Sequence, residues 1–224
     1  MIDYIIELLI TVAIVLLALT FHECAHGYVA YFLGDNTAKD LGRLSLNPIK
    51  HIDIIGAICM LFFRFGWAKP VPINARYFKK PKRDIALSAL AGPTANMILG
   101  FIGCLVYSLS MHLLENVTFE SQGLAYWLCY AWLIFTLNFA WLNISLAIFN
   151  LIPLPPLDGS RILFAFLPDK AYYKIMKYER EIAIGFFIIL FVDNRFLDGF
   201  LLGWLSVLVN LIFNGMNSML SIIF

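Results

Sequence analysis

Residues 3–33 read DYIIELLITVAIVLLALTFHECAHGYVAYFL. The run from Tyr4 to Thr20 is apolar but for Glu7 and two threonines, and crossing a bilayer takes roughly 17 to 25 such residues. A helix from Asp3 to Leu33 extends about 45 Å at about 1.5 Å per residue, more than the ~30 Å of hydrocarbon, so it must tilt or protrude. Gly34, with Asp35 and Asn36 behind it, supplies a stop signal. Residues 1–3 are Met, Ile and Asp, with no basic stretch, and no small-residue cleavage site follows the run. It is therefore expected to be a retained span and not a secretory signal.

The rest of the chain has the same character. Of its 224 residues, 61% are hydrophobic and 14% charged, too few charges to cover a soluble surface. Mean hydropathy is +0.81. Further spans are expected at about 85–111, 124–152, 182–192 and 196–224, giving about five with the first at 3–33. The third is cut off by Pro153, Pro155 and Pro156, and an amphipathic stretch from Asp169 leads into the fourth, the weakest of the five. The fold expected is an all-α polytopic membrane protein forming one membrane-embedded domain over 1–224. Between the first two spans, residues 51–65 are apolar but too short and interrupted to cross. Gly56, Gly66, Pro70 and Pro72 bracket β-branched runs there, so a small re-entrant or β-hairpin element is expected, buried in protein or lining a wet cavity.

Net charge is +1, and no nucleic-acid partner is expected. Cys24, Cys59, Cys104 and Cys129 stand singly in apolar surroundings, as small buried hydrophobes and not as a disulfide frame. Lys and Arg set orientation. Ten of the sixteen fall between residues 39 and 83 and four more between 170 and 180, with none from His112 to Gly123. Both basic segments then face the cytoplasm and the N-terminus lies outside. The cluster Lys79-Lys80-Pro81-Lys82-Arg83 serves as the positive flank and is suited to attract anionic membrane lipid.

Within the first span, His22-Glu23-Cys24-Ala25-His26 has the H-E-x-x-H spacing. Residues four apart on a helix share a face, so two imidazoles can hold one metal ion while the adjacent glutamate reaches a water beside it. Zinc suits such a site, with a fourth position open for water. Glu23 would accept the water proton and pass it to the leaving amine. The alternative is a pair of core histidines and a satisfied glutamate, but ionisable groups in a membrane span are costly and are as a rule functional.

Two histidines need a third ligand. Asp158, in Asn150-Leu-Ile-Pro-Leu-Pro-Pro-Leu-Asp158-Gly159, follows the third span and falls on the same membrane face as His26. Its alternative is a turn residue before Gly159. His51 is expected in a loop or interface and His112 on the far face. Gly92-Pro93 is expected to be a kink or close-packing point.

These motifs, with Gly42–Pro48, His51-Ile52-Asp53, Gly66–Pro72 and Ala91-Gly92-Pro93-Thr94-Ala95-Asn96, resemble the site-2 proteases, zinc metalloproteases that cleave within membranes. The resemblance covers about residues 15–165 and points to the compact branch without a PDZ domain or a nucleotide-binding module. It implies a three-helix catalytic core in which His22, His26 and Asp158 hold one Zn2+ and Glu23 is the catalytic base. It implies substrates that are transmembrane proteins or peptides, regulated intramembrane proteolysis, and residence in a prokaryotic cell membrane. Asn150 is implied to bind substrate backbone or the developing oxyanion, its alternative being a cap on the third span. Asn96 is a second substrate-binding candidate, with packing between helices as the preferred role. The segment 51–73 is a candidate to pair with an unwound substrate. A metal transporter, an inactive module that captures membrane segments, and a protease with a glutamate as third ligand compete with this reading. Against them stand polar groups gathered near one face, an intact Glu23, and the lack of a motif around Glu179 and Glu181.

Overall fold

The computed structural model describes residues 2–54, 56, 68–115, 117, 123–196 and 203–220. Among these the chain is helical, with no β-strand. Its α-helices are α1 (Ile2–Phe32), the single turn α2 (Thr37–Asp40), α3 (Pro81–Leu114), α4 (Leu124–Asn150), α5 (Asp158–Ala165), α6 (Asp169–Met176), α7 (Glu179–Phe196) and α8 (Gly203–Leu220), with 3-10 turns at Pro48–His51 and Ala75–Tyr77.

Three helices among the described residues are long and apolar enough to cross a membrane: Glu7–Phe32 within α1, Pro81–Leu114 and Leu124–Asn150. Their outward side chains are large and apolar, with Leu9 64%, Phe32 78% and Leu124 77% exposed. A water-facing surface is not built this way, and the lipid chains of a bilayer are the solvent such a surface fits. The expected first three spans thus correspond to α1, α3 and α4, the second longer at both ends and the third ending at Asn150. The expected fourth falls in α7, which begins at Glu179 and carries Arg180 and Glu181 in its first turn. These charges take it outside the apolar class. The expected fifth falls partly outside the described residues. Its described part, α8, is interrupted by Ser206, Asn210, Asn214, Asn217 and Ser218.

α3 is the hub, packing on α1, α4 and α5, while α8 lies against α4. Small side chains at the α3–α4 crossing, Cys104 and Ala140, let the helices approach, and Ile144 of α4 with Val209 and Leu220 of α8 completes this core. Trp141 Nε1 donates to Asn210 Oδ1 at 3.2 Å, joining α4 to α8. α3 starts with Pro81, whose missing N–H costs nothing at a first helical turn, and Asp84 reaches back to accept from Lys80 N at 3.0 Å. The helix runs on through Pro93 to Leu114.

The link between α1 and α3 is tied down by side chains. Gly34 takes φ 110° after α1. The buried Asp35 then accepts from Thr37 N at 2.9 Å and from Asn74 N at 2.6 Å, clamping the two ends of the link together. Residues 57–67, most of the expected re-entrant or hairpin element, and Cys59 lie outside the described residues. The flanks of that element do meet: Ile52 and Ala68 form an isolated antiparallel bridge, and Lys69 N donates to His51 O at 2.9 Å. Cys24, Cys104 and Cys129 are free thiols. From the basic cluster, Lys82 pairs with Asp169 and donates to Leu167 O at 2.9 Å, which fastens α3 to the start of α6.

Candidate metal centre

His22 and His26 lie one turn apart on α1, both buried, with ring centroids 4.5 Å apart and nearly perpendicular planes. Their Nε2 atoms stand 2.9 Å from each other. Asp158 Oδ2 is 3.1 Å from the first and 3.3 Å from the second. Among the described residues this trio forms the group of His, Cys, Asp or Glu side chains suited to hold a metal ion.

Two close approaches bring the trio together. α3 presses on the imidazoles at Gly92, where a Cβ would stand 2.6 Å from His22 Cε1 and from His26 Cε1. The expected close-packing point is therefore one that shapes the histidine pair. After α4 the chain turns through Leu151–Leu157, with a cis peptide between Pro155 and Pro156, and starts α5 at Asp158. A Cβ at Gly159 would overlap the Leu151 carbonyl group, so only glycine lets α5 fold back tightly enough to carry Asp158 to the histidines. The helix start beneath Asp158 also favours a negative charge.

The outer ring nitrogens fix the chemistry of the inner ones. His26 Nδ1 donates to the Ser88 carbonyl at 2.7 Å, an acceptor only. His22 Nδ1 donates to Asn96 Oδ1 at 2.5 Å. In the neutral imidazoles each Nε2 is then a lone pair, and both lone pairs face a carboxylate oxygen that has no hydrogen-bond partner among the described residues. Three lone pairs meet at such distances only around a cation. A proton joins two of them, whereas a tetrahedral ion joins all three. For zinc–ligand bonds of about 2.0–2.1 Å a tetrahedron has edges of about 3.3 Å. The spacings to Asp158, 3.1 and 3.3 Å, are near that figure and the 2.9 Å between the imidazoles is somewhat shorter, and two imidazoles with a carboxylate match the ligands of catalytic zinc.

Glu23 is half-buried beside this trio in sequence, and its Oε2 accepts from Val71 N at 2.7 Å. One oxygen is thereby oriented by backbone. Asn150 is the last residue of α4 and donates Nδ2 to Leu146 O at 2.9 Å, leaving its second amide hydrogen and its oxygen uncommitted in that bond. Asn96 is fully buried, with its oxygen on His22 and its nitrogen on Ala18 O at 3.3 Å and Asn143 Oδ1 at 2.8 Å. His51 is buried outside the trio, donating to Ser45 O at 2.7 Å with Cys24 Sγ 3.7 Å away. His112, near the end of α3, lies 4.0 Å from Glu115.

Sequence reading missed Val71, Ser88 and Asn143. Val71 acts here through its backbone N–H, and Ser88 through its carbonyl on His26 Nδ1 and its Oγ, which donates to His26 O at 3.0 Å. Asn143 did carry a residue-type signal, because a carboxamide in the middle of an apolar span is expensive and needs a partner.

Comparison with known proteins agrees with this geometry. YwhC of Bacillus subtilis (strain 168), named as a candidate zinc metalloprotease, is 45% identical over 181 residues, covering 79% of this chain and 77% of its own length. Rip2 of Mycolicibacterium smegmatis, named likewise, is 26% identical over 162 residues, 70% of this chain and 57% of its own. Rip2 of Mycobacterium tuberculosis (strain H37Rv) is 25% identical over 194 residues, 84% of this chain and 68% of its own. No solved structure matches the chain. A model of peptidase family M50 matches residues 10–192, a stretch that contains the histidine pair, Glu23 and Asp158. The chain belongs to peptidase family M50, the family of the site-2 proteases.

Proposed function

We propose that this protein is an intramembrane zinc metalloprotease that hydrolyses peptide bonds within or near the transmembrane segments of other proteins. The observation that carries this is the convergence of His22 Nε2, His26 Nε2 and Asp158 Oδ2 within 2.9–3.3 Å, built on a helix long and apolar enough to span a bilayer. These three residues hold one Zn2+. The bound ion supplies Lewis-acid chemistry, bringing the pKa of water to about 7 and polarising the scissile carbonyl.

The chain's own groups do the rest. Glu23, held at Oε2 by Val71 N, takes the proton of the attacking water and returns it to the leaving amine. Asn150 has an amide hydrogen to offer the substrate backbone or the oxyanion, where charge grows as water adds. Asp158 is held in place by the tight turn at Gly159. The bundle keeps bulk water from the imidazoles, which are both buried.

In this reading α7 and α8 join the three apolar helices as fourth and fifth membrane elements in a cell membrane. The basic link between α1 and α3 faces the cytoplasm, and the N-terminus lies outside. The protease serves regulated intramembrane proteolysis.

The test uses the full chain in detergent. Wild type, Glu23→Gln and Asp158→Ala are assayed for bound zinc and for cleavage of a membrane-spanning peptide. Wild type is expected to hold about one zinc and cleave. Glu23→Gln should keep zinc without cleaving, and Asp158→Ala should lose it. Cleavage by Glu23→Gln at the wild-type rate, or full zinc retention by Asp158→Ala, would overturn the assignment. Zinc bound by a wild type that cleaves no membrane-spanning peptide would favour a metal transporter.

A further inference from the structure

We propose that Asn143 and Asn96 form a positioning pair for His22: Asn143 sets the orientation of the Asn96 amide, and Asn96 holds His22 as the tautomer protonated at Nδ1. The proposal rests on the metalloprotease reading for its functional meaning.

Asn143 on α4 and Asn96 on α3 are both fully buried. A carboxamide has two distinguishable ends, and each end here meets a partner that accepts only one of them. Asn143 Nδ2 donates to Phe139 O, one turn earlier in its own helix, at 2.9 Å. Its Oδ1 is thereby turned to Asn96 and accepts from Asn96 Nδ2 at 2.8 Å. Ala18 O of α1 accepts from the same nitrogen at 3.3 Å. The end of Asn96 left for His22 is its oxygen, 2.5 Å from Nδ1. The chain of bonds thus runs from a backbone carbonyl on α4 to the first ligand histidine on α1, through three helices.

Rotating the Asn96 amide by half a turn would set its oxygen against two acceptors, Asn143 Oδ1 and Ala18 O. It would also point an N–H at His22 Nδ1, which would then have to be a bare lone pair. The ring proton would move to Nε2, 2.9 Å from His26 Nε2 and 3.1 Å from Asp158 Oδ2, in the place a metal ion needs. Asn143 disfavours that rotation. His26 needs no such device, because its outer nitrogen meets the Ser88 carbonyl, which has no donor end. His22 is the ligand whose tautomer depends on side chains. Outer partners of this kind typically change metal affinity by about 10–100-fold when removed.

The test compares full-length, zinc-loaded protein in detergent by competition with a chelator. Asn143→Leu, which removes the acceptor at similar volume, is expected to raise the zinc Kd about tenfold. Asn96→Leu removes the amide that Asn143 orients, so in that background Asn143→Leu should change Kd by less than about twofold. Equal losses in the two backgrounds would show that Asn143 acts by packing, and the pair would be refuted. Nitrogen-15 spectra of histidine-labelled, metal-free protein give a second readout. His22 should carry its proton on Nδ1 in wild type and shift towards Nε2 in Asn143→Leu, and no shift would overturn the proposal. If Asn143→Leu does not fold, Asn143→Ala is taken through the same readouts, with Asn143→Asp as the conservative control. The buried acid, kept neutral, still donates to Phe139 O and accepts from Asn96. It should bind zinc and show the tautomer as wild type does, and a loss like that of Asn143→Ala would count against the pair. If wild type binds no zinc that Asp158→Ala abolishes, the metalloprotease reading fails, and the tautomer measurement still decides the pair.

Discussion

Val71 donates its backbone N–H to Glu23 Oε2 at 2.7 Å, across 48 positions of sequence. Pro70 and Pro72 flank it, so within Pro70-Val71-Pro72 only Val71 has an N–H to give. Among the described residues, the link between α1 and α3 therefore touches the base through a bond that cannot slip by a residue.

Removing that bond should separate chemistry from metal binding. Val71→Pro deletes the N–H and is expected to lower kcat about tenfold or more, since hydrogen bonds to charged groups contribute about 1.5–3 kcal/mol. Zinc content should stay at the wild-type level, and Val71→Ala, which keeps the N–H, should retain most of the activity. Paired measurements of kcat and bound zinc check this, and a kcat equal to wild type in Val71→Pro would exclude an orienting role.

Gly92 should behave as a metal-site residue although it ligates nothing. A methyl group there meets both imidazoles, and helical propensity favours alanine over glycine in α3. Gly92→Ala is thus expected to keep or raise helix content by circular dichroism while zinc occupancy falls severalfold. Normal zinc content in that variant would mean the rings move aside freely.

Arg43 Nη2 donates to Lys69 O at 2.8 Å and to Pro70 O at 3.3 Å, while Lys69 N is taken by His51 O. With Val71 N on Glu23, both N–H groups of residues 69–71 and the Lys69 and Pro70 carbonyls are occupied within the protein. A substrate strand can pair with the Lys69 and Pro70 carbonyls only by displacing Arg43. Arg43→Ala should speed amide exchange at Lys69 and Val71 by about tenfold, matching one lost hydrogen bond of about 1–1.5 kcal/mol. Unchanged exchange would show that the bridge at Ile52 and Ala68 suffices to hold the segment.

Zinc should stabilise the bundle through Asp158. Ligand at a hundredfold excess over its Kd adds about 2.7 kcal/mol of stability. That corresponds to a Tm rise of roughly 5–11 °C for a domain of this size. Asp158→Ala should abolish the zinc-dependent part of the shift, read by thermal unfolding in detergent with and without chelator. A shift of the same size in Asp158→Ala would place the stabilising metal elsewhere.

What local sequence determined is what depends on short-range spacing and on burial. Apolar runs of span length gave α1, α3 and α4, because helices alone satisfy their backbone bonds in lipid within one segment. Four-residue spacing put His22 and His26 on one face, since the helical repeat dictates it. Asp158 was legible because few acidic residues lie beside an apolar span. Residues 158–196 were less legible: breaking into α5, α6 and α7 depends on contacts such as Lys82 with Asp169 and Arg161 with Glu179, which no local pattern encodes.

Tertiary structure alone decided which groups face one another across helices. The Asn143–Asn96–His22 relay, the Gly92 contact with the imidazoles and the Val71 bond to Glu23 each join residues from different elements, and the last uses a backbone N–H that every residue type but proline carries. Sequence names the atoms able to bind a metal. Packing decides which lone pairs are turned inward, because tautomer and amide orientation are set by partners that come close only when the helices do.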